Sequence, residues 1–133
     1  MKQDDSQNST SERGRAIRAR AQGKAAPALE ELLAELDPAL PGWTDEFIFG
    51  DVWSRPGLEH EQRMLVAIAS LASLGHVAQL RNYLHGALQD GMDPDQIQET
   101  LIMTCVYAGF PTALTALHCW LEVKRSHERR PER

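Results

Sequence analysis

The chain has 133 residues, 14 Lys and Arg against 19 Asp and Glu, and a formal net charge of −5. That length suits one domain with a modest core, and the acidic balance excludes the broad basic field that phosphate backbones require, so no nucleic-acid partner is expected. The only cysteines, Cys105 and Cys119, have neither CxxC nor zinc-finger spacing, which excludes a disulfide framework and leaves two reduced thiols packed in apolar helices.

Residues 1–12 carry no large apolar side chain beyond Met1 and are expected to form a disordered leader without the apolar stretch of a signal peptide. From Ser11 to Gln22, "SERGRAIRARAQ" fits a short basic helix whose sizeable apolar side chain is Ile17. "PALEELLAEL", residues 27–36, places Pro27 in a first turn and repeats Leu29, Leu32, Leu33 and Leu36 at helical spacing. Pro38, Pro41 and Gly42 then interrupt the pattern, and residues 43–53 read as a connecting segment with partly buried aromatics.

Three helical stretches follow. The first spans residues 59–74, with Leu65, Ile68, Leu71 and Ala72 on one stripe, and Gly75 stops it. The second spans residues 76–89, burying Val77, Leu80, Leu84, Ala87 and Leu88, with Gly91 just past its end. In the third, Asp93 is the N-cap, Pro94 occupies the first turn and Gln96 supplies a capping-box-like amide before a run to Ala108. Gly109 and Pro111 break the pattern, and a last helix over residues 112–124 buries Ala113, Ala116, Leu117, Trp120 and Leu121 ahead of a solvated tail, residues 125–133. No segment alternates as a strand does, so the fold class is all-α, in one domain over residues 13–124. No segment reaches the roughly 18 apolar residues of a membrane span, so a cytoplasmic protein with no membrane partner is expected. Leu101, Ile102, Met103, Cys105 and Val106 cover nearly a whole helix circumference, and a homo-oligomer interface is the natural outlet for that surface.

The chemistry concentrates in two places. In "DVWSRPGLEHEQR", residues 51–63, Arg55 and Arg63 can clamp a carboxylate while Trp53 supplies an aromatic wall. The plainer alternative is a Trp anchored in the core with Arg and Glu paired on the surface. On the 76–89 helix, His76 and Tyr83 are seven residues apart and share a face, with His85 on the other flank near Arg81. Either His is more often a boundary residue than a catalyst unless something marks that face as a pocket. His118 adjoins Cys119 but points from a different helix face, so no metal site is expected, and no phosphate-binding loop or dinucleotide fingerprint appears, so no cofactor is expected.

Together, "ERGRAIR", "FGDVWSRPGL", "ALQDGMDPDQIQETL" and "VYAGFPTAL" resemble the carboxymuconolactone decarboxylase family, in the same order and at matching intervals over residues 12–123. The resemblance implies a small all-α, alkylhydroperoxidase D-like fold, assembly as a trimer or hexamer, and a lyase associated with breakdown of aromatic compounds. The peroxidase branch of that fold uses a Glu, a CxxC pair and a His; the matching positions here are Met64, His76, Gln79 and Tyr83. Without a thiol pair there is no redox-active disulfide to form, so thiol peroxidase activity is not expected. The decarboxylase branch usually keeps the His where this chain has Tyr83. The reading that follows is a cofactor-independent, metal-free decarboxylase acting on a small carboxylated lactone or oxo acid. Arg55 and Arg63 hold the carboxylate, Trp53 walls the pocket, Tyr107 and Phe110 line it, and Tyr83 with His76 manages the proton. The alternatives are a divergent lyase or isomerase of a specialised pathway and a non-catalytic oligomeric binding protein.

Overall fold

The structure, a computed structural model, describes residues 2–129, with side chains from residue 9 onward. Met1 of the expected leader and residues 130–133 of the expected tail lie outside the described residues. Every regular element among the described residues is helical, as the all-α reading requires. The chain forms two compact units, residues 1–60 and 61–133.

The first unit opens with α1 (Lys2–Gln22), which takes in residues 2–12 that the composition assigns to a disordered leader. Among its described side chains, apolar burial on this helix is limited to Ala21 and part of Ile17. Close backbone approach and side-chain hydrogen bonds add to it: Ser11 Oγ donates to Glu46 (3.3 Å), and a Cβ on Gly14 would lie 1.7 Å from the Asp45 carbonyl oxygen and 2.7 Å from the Gly50 nitrogen. Only a glycine admits that approach. A 3₁₀ turn (Gly23–Ala25) leads into α2 (Ala26–Leu36), which carries Pro27 in its first turn and ends as Asp37 N–H donates to the Leu33 carbonyl. Its leucine stripe is only partly covered, with Leu29 and Leu33 half-buried and Leu32 and Leu36 exposed.

Asp37 then accepts from Ala39 N–H (2.8 Å) in a local turn that starts α3 (Leu40–Trp43). Pro41 falls in the first turn of α3, where its missing N–H costs nothing, so it begins a helix instead of interrupting one. Helix α3 runs straight into a π-helix (Thr44–Val52), so the connecting segment expected over residues 43–53 is corrected to continuous helix.

In the second unit, α4 (His60–Leu74, which starts at the last residue of the first unit) buries Met64, Ile68 and Ala72 and ends at Gly75. Helix α5 (Val77–Gln89) buries Leu80, Leu84, Gly86 and Ala87. Helix α6 (Pro94–Tyr107) is capped by the Asp93 carboxylate, which accepts from Asp95 N–H at 2.9 Å. Helix α7 (Phe110–Glu128) starts two residues earlier than expected, because Pro111 again sits in a first turn and Gly109, at φ +97°, turns the chain into it. It also continues through residues 125–128 of the expected tail. Trp120 is the largest fully buried side chain; its Nε1 donates to Gln98 Oε1 (2.7 Å), tying α7 to α6, and Lys124 lies over its ring. Leu121, expected in the core, is exposed.

Candidate active site

The π-helix is the least ordinary element of the first unit. Its i→i+5 turns are wider than those of an α-helix, and such turns recur at functional sites. Helix α1 secures its first turn: Arg18 Nε donates to Asp45 Oδ1 at 2.8 Å, and both residues are 3% exposed. The same guanidinium reaches the Ala26 carbonyl (3.2 Å) and Glu30 (3.5 Å), while Arg15 approaches the other Asp45 oxygen at 3.7 Å. A buried ion pair of this kind stays favourable only when its remaining donors and acceptors are also met.

At the far end of the π-helix the candidate wall appears. Phe49 is buried, and the half-buried Trp53 ring packs against it with centroids 5.1 Å apart and planes at 44°. Trp53 also packs against His60, at 5.7 Å and 58°. Tilted contacts of this kind suit the ring quadrupoles and fix the indole plane. Trp53 is thus anchored, as the plainer sequence reading holds, yet it is not sealed in the core. Arg55, two residues on, is exposed.

His60 is the residue that sequence reasoning passes over. It lies in the quoted stretch, but its spacing of seven from Trp53 crosses a turn containing Pro56 and Gly57, so periodicity gives no reason to pair the two. The structure joins them, with the His60 Nε2 shielded from solvent.

The second unit carries the other expected site residues. Arg63 is half-buried in the first turn of α4. Tyr83 is half-buried on α5. His76 is not a residue of the helical face shared with Tyr83, as the seven-residue spacing suggests; it is the exposed N-cap of α5, with φ −85° and ψ 74°. The chain reverses at Gly75 and His76, which takes His76 out of the helical path. Tyr107 closes α6 and Phe110 opens α7, and they are 81% and 62% exposed, so neither is enclosed within the chain by itself.

The positions at which the peroxidase pattern places its acid and second thiol hold a fully buried Met64 and an exposed Gln79. Cys105 on α6 and Cys119 on α7 are both free thiols. Burial pushes the Cys119 thiol above its ordinary value, with the Arg81 charge opposing that rise and Glu122 adding to it. No group of three His, Cys, Asp or Glu side chains able to hold a metal occurs among the described residues. No helix among them is long and apolar enough to cross a membrane.

The model of the carboxymuconolactone decarboxylase family matches residues 38–122. The chain is 34% identical over 103 residues to 4-carboxymuconolactone decarboxylase of Acinetobacter baylyi, covering 77% of each protein. It is 35% identical over 74 residues to nitrosuccinic acid decarboxylase of Metarhizium robertsii, covering 54% of this chain and 50% of that enzyme. An uncharacterised protein of Paracoccus denitrificans is 32% identical over 97 residues.

Proposed function

We propose, on the premise that this chain belongs to the carboxymuconolactone decarboxylase family, that it is a cofactor-independent carboxy-lyase for a small acid. The carboxyl of that acid adjoins an electron-accepting group, as in a carboxylated lactone or an oxo acid. The likeness to two enzymes named as decarboxylases of different acids carries this reading. The absence of CxxC from the sequence argues against the thiol peroxidase alternative.

In the reaction, the C–C bond to the carboxylate breaks, CO₂ leaves, and the electron pair passes through the adjoining carbon onto the acceptor oxygen. That oxygen then returns the pair as the carbon takes a proton. The protein must hold the carboxylate in place, stabilise the developing oxyanion and deliver the proton. Arg55 and Arg63 each have the planar fork suited to the first task, and Trp53 offers the substrate a flat apolar face. Tyr83 supplies a hydroxyl in place of the imidazole usual in the family, and His76 a second titratable group. The exposed Met103, Val106, Tyr107 and Phe110 favour a homo-oligomer, trimer or hexamer, in which a neighbouring copy covers that surface and Tyr107 and Phe110 become lining residues.

The test is turnover of 4-carboxymuconolactone followed by ultraviolet absorbance and CO₂ release, for the wild type, Arg55→Ala and Tyr83→Phe. Turnover that falls at least about tenfold in each variant supports the reading. No turnover by the wild type, with nitrosuccinate run as a second substrate, overturns it. The second relative favours a rival within the same chemistry, a lyase of a specialised pathway, and turnover of nitrosuccinate alone selects it.

A further inference from the structure

In the last turn of the π-helix the ladder of backbone hydrogen bonds runs out, and the Gly50 carbonyl is among the acceptors it leaves. Trp53 N–H donates to the Ile48 carbonyl at 2.9 Å, an i→i+5 bond. The equivalent step two residues on would send Arg55 N–H to the Gly50 carbonyl, but Arg55 N–H turns to Val52 at 3.2 Å, a three-residue closure. The Gly50 carbonyl is therefore released at the point where the chain bends toward Trp53 and Arg55. Such carbonyls at helix ends need a donor from elsewhere.

Arg13 supplies it. Its Nη2 and Nε donate to the Gly50 oxygen at 3.1 and 3.3 Å, from a helix 37 residues away in sequence, and Ser54 Oγ adds a local donor to the same oxygen. The neighbouring Gly14 permits the approach, since any Cβ there would collide with the Asp45 carbonyl and the Gly50 nitrogen. Arg18 and Ser11 hold the first turn of the π-helix, whereas Arg13 holds its last, next to the aromatic wall.

We infer that Arg13 is a positioning residue for the candidate substrate site: by gathering the released Gly50 carbonyl it sets the bend that presents Trp53 and Arg55. This rests on the reading of those two residues as substrate contacts given above. A guanidinium is required because two donors in one plane converge on one oxygen, which a single ammonium cannot reproduce.

Two measurements on the full chain test this. Arg13→Ala raises KM for 4-carboxymuconolactone about tenfold while kcat stays within about threefold, and Arg13→Lys falls between it and the wild type. Independently of turnover, the emission of Trp53 is isolated by subtracting the spectrum of Trp53→Phe, and in Arg13→Ala that component moves to longer wavelength as the indole loosens into water. A merely structural role would lower the thermal midpoint and leave KM and the Trp53 component of the folded protein as they were. In an active enzyme an unchanged KM overturns the inference. If the wild type is inactive, or Arg55→Ala leaves KM alone, the site reading is what fails, and an unchanged Trp53 component then overturns the role of Arg13. Should Arg13→Ala not fold, Arg13→Lys carries both measurements.

Discussion

The Arg18 guanidinium and the Asp45 carboxylate meet at 2.8 Å with both residues 3% exposed, joining α1 to the first turn of the π-helix. Removing Asp45 leaves the buried Arg18 charge only the longer ion pair with Glu30 at 3.5 Å, and losing the near partner of a buried pair costs up to about 3–5 kcal/mol. Asp45→Ala is therefore expected to lower the thermal unfolding midpoint sharply. The paired replacement Arg18→Met, Asp45→Leu is expected to recover most of that loss, because no lone charge is left behind. A double variant no more stable than Asp45→Ala would show that the pair does not act as a unit.

Gly14 marks the closest approach of the same two elements. Gly14→Ala places a methyl 1.7 Å from the Asp45 oxygen, so the helices must part, at a cost of about 1–3 kcal/mol or more. Gly42, on α3, has nothing within 4 Å of its Cβ position, and Gly42→Ala is expected to hold or gain up to about 1 kcal/mol. Chemical denaturation of the two variants side by side checks the contrast, and equal effects would contradict the packing.

Tyr83 stands where the family usually has a His. If its hydroxyl serves the proposed reaction, Tyr83→Phe lowers kcat by about 10²-fold, with the far-ultraviolet circular dichroism unchanged. Tyr83→His returns an imidazole to that position, and decarboxylation of 4-carboxymuconolactone is expected to be retained or raised. Steady-state kinetics decide it, and a Tyr83→Phe enzyme as fast as the wild type would remove Tyr83 from the mechanism.

Cys119 links burial to alkaline stability. Its thiol is raised above the ordinary 9.0, so between that value and its own the folded chain keeps a proton that the unfolded chain has lost. The stability from this thiol is fully present below pH 9.0 and is lost as pH rises through the folded value. Urea midpoints are expected to fall above pH 9.0 in the wild type and to fall less steeply in Cys119→Ala. Half-buried Cys105 is expected to alkylate faster than Cys119.

Local signals in the sequence were legible where the physics is local. Asp93, Pro94 and the apolar spacing behind them define α6 to within a residue of its observed start and end, since a cap and a first-turn proline act within one turn. The same rule, applied less fully, misplaces the start of α7: Pro111 reads as a breaker until Gly109 is seen to turn the chain just before it. Residues 2–12 and the π-helix were not legible, because α1 is held by Gly14, Arg13 and Arg18 against groups 27 to 37 residues away, and no window of sequence contains both sides of those contacts. At the site, the anchoring of Trp53 and the exposure of Arg55 fit what the composition of the stretch allows. The His60 contact depends on how the turn at Pro56 and Gly57 folds, and the place of His76 on a reversal at Gly75, which helical spacing does not describe.

The bond between α1 and the π-helix bears on how this protein can be shortened. The family match starts at residue 38, and a chain trimmed to begin there would look complete by that criterion. It would nonetheless carry Asp45 without its countercharge, Gly50 without its distant donor, and a bare backbone groove shaped for a glycine on a helix no longer attached. Such a fragment would be a poor soluble reagent, and supplying residues 9–22 as a separate peptide would be the natural way to rescue it.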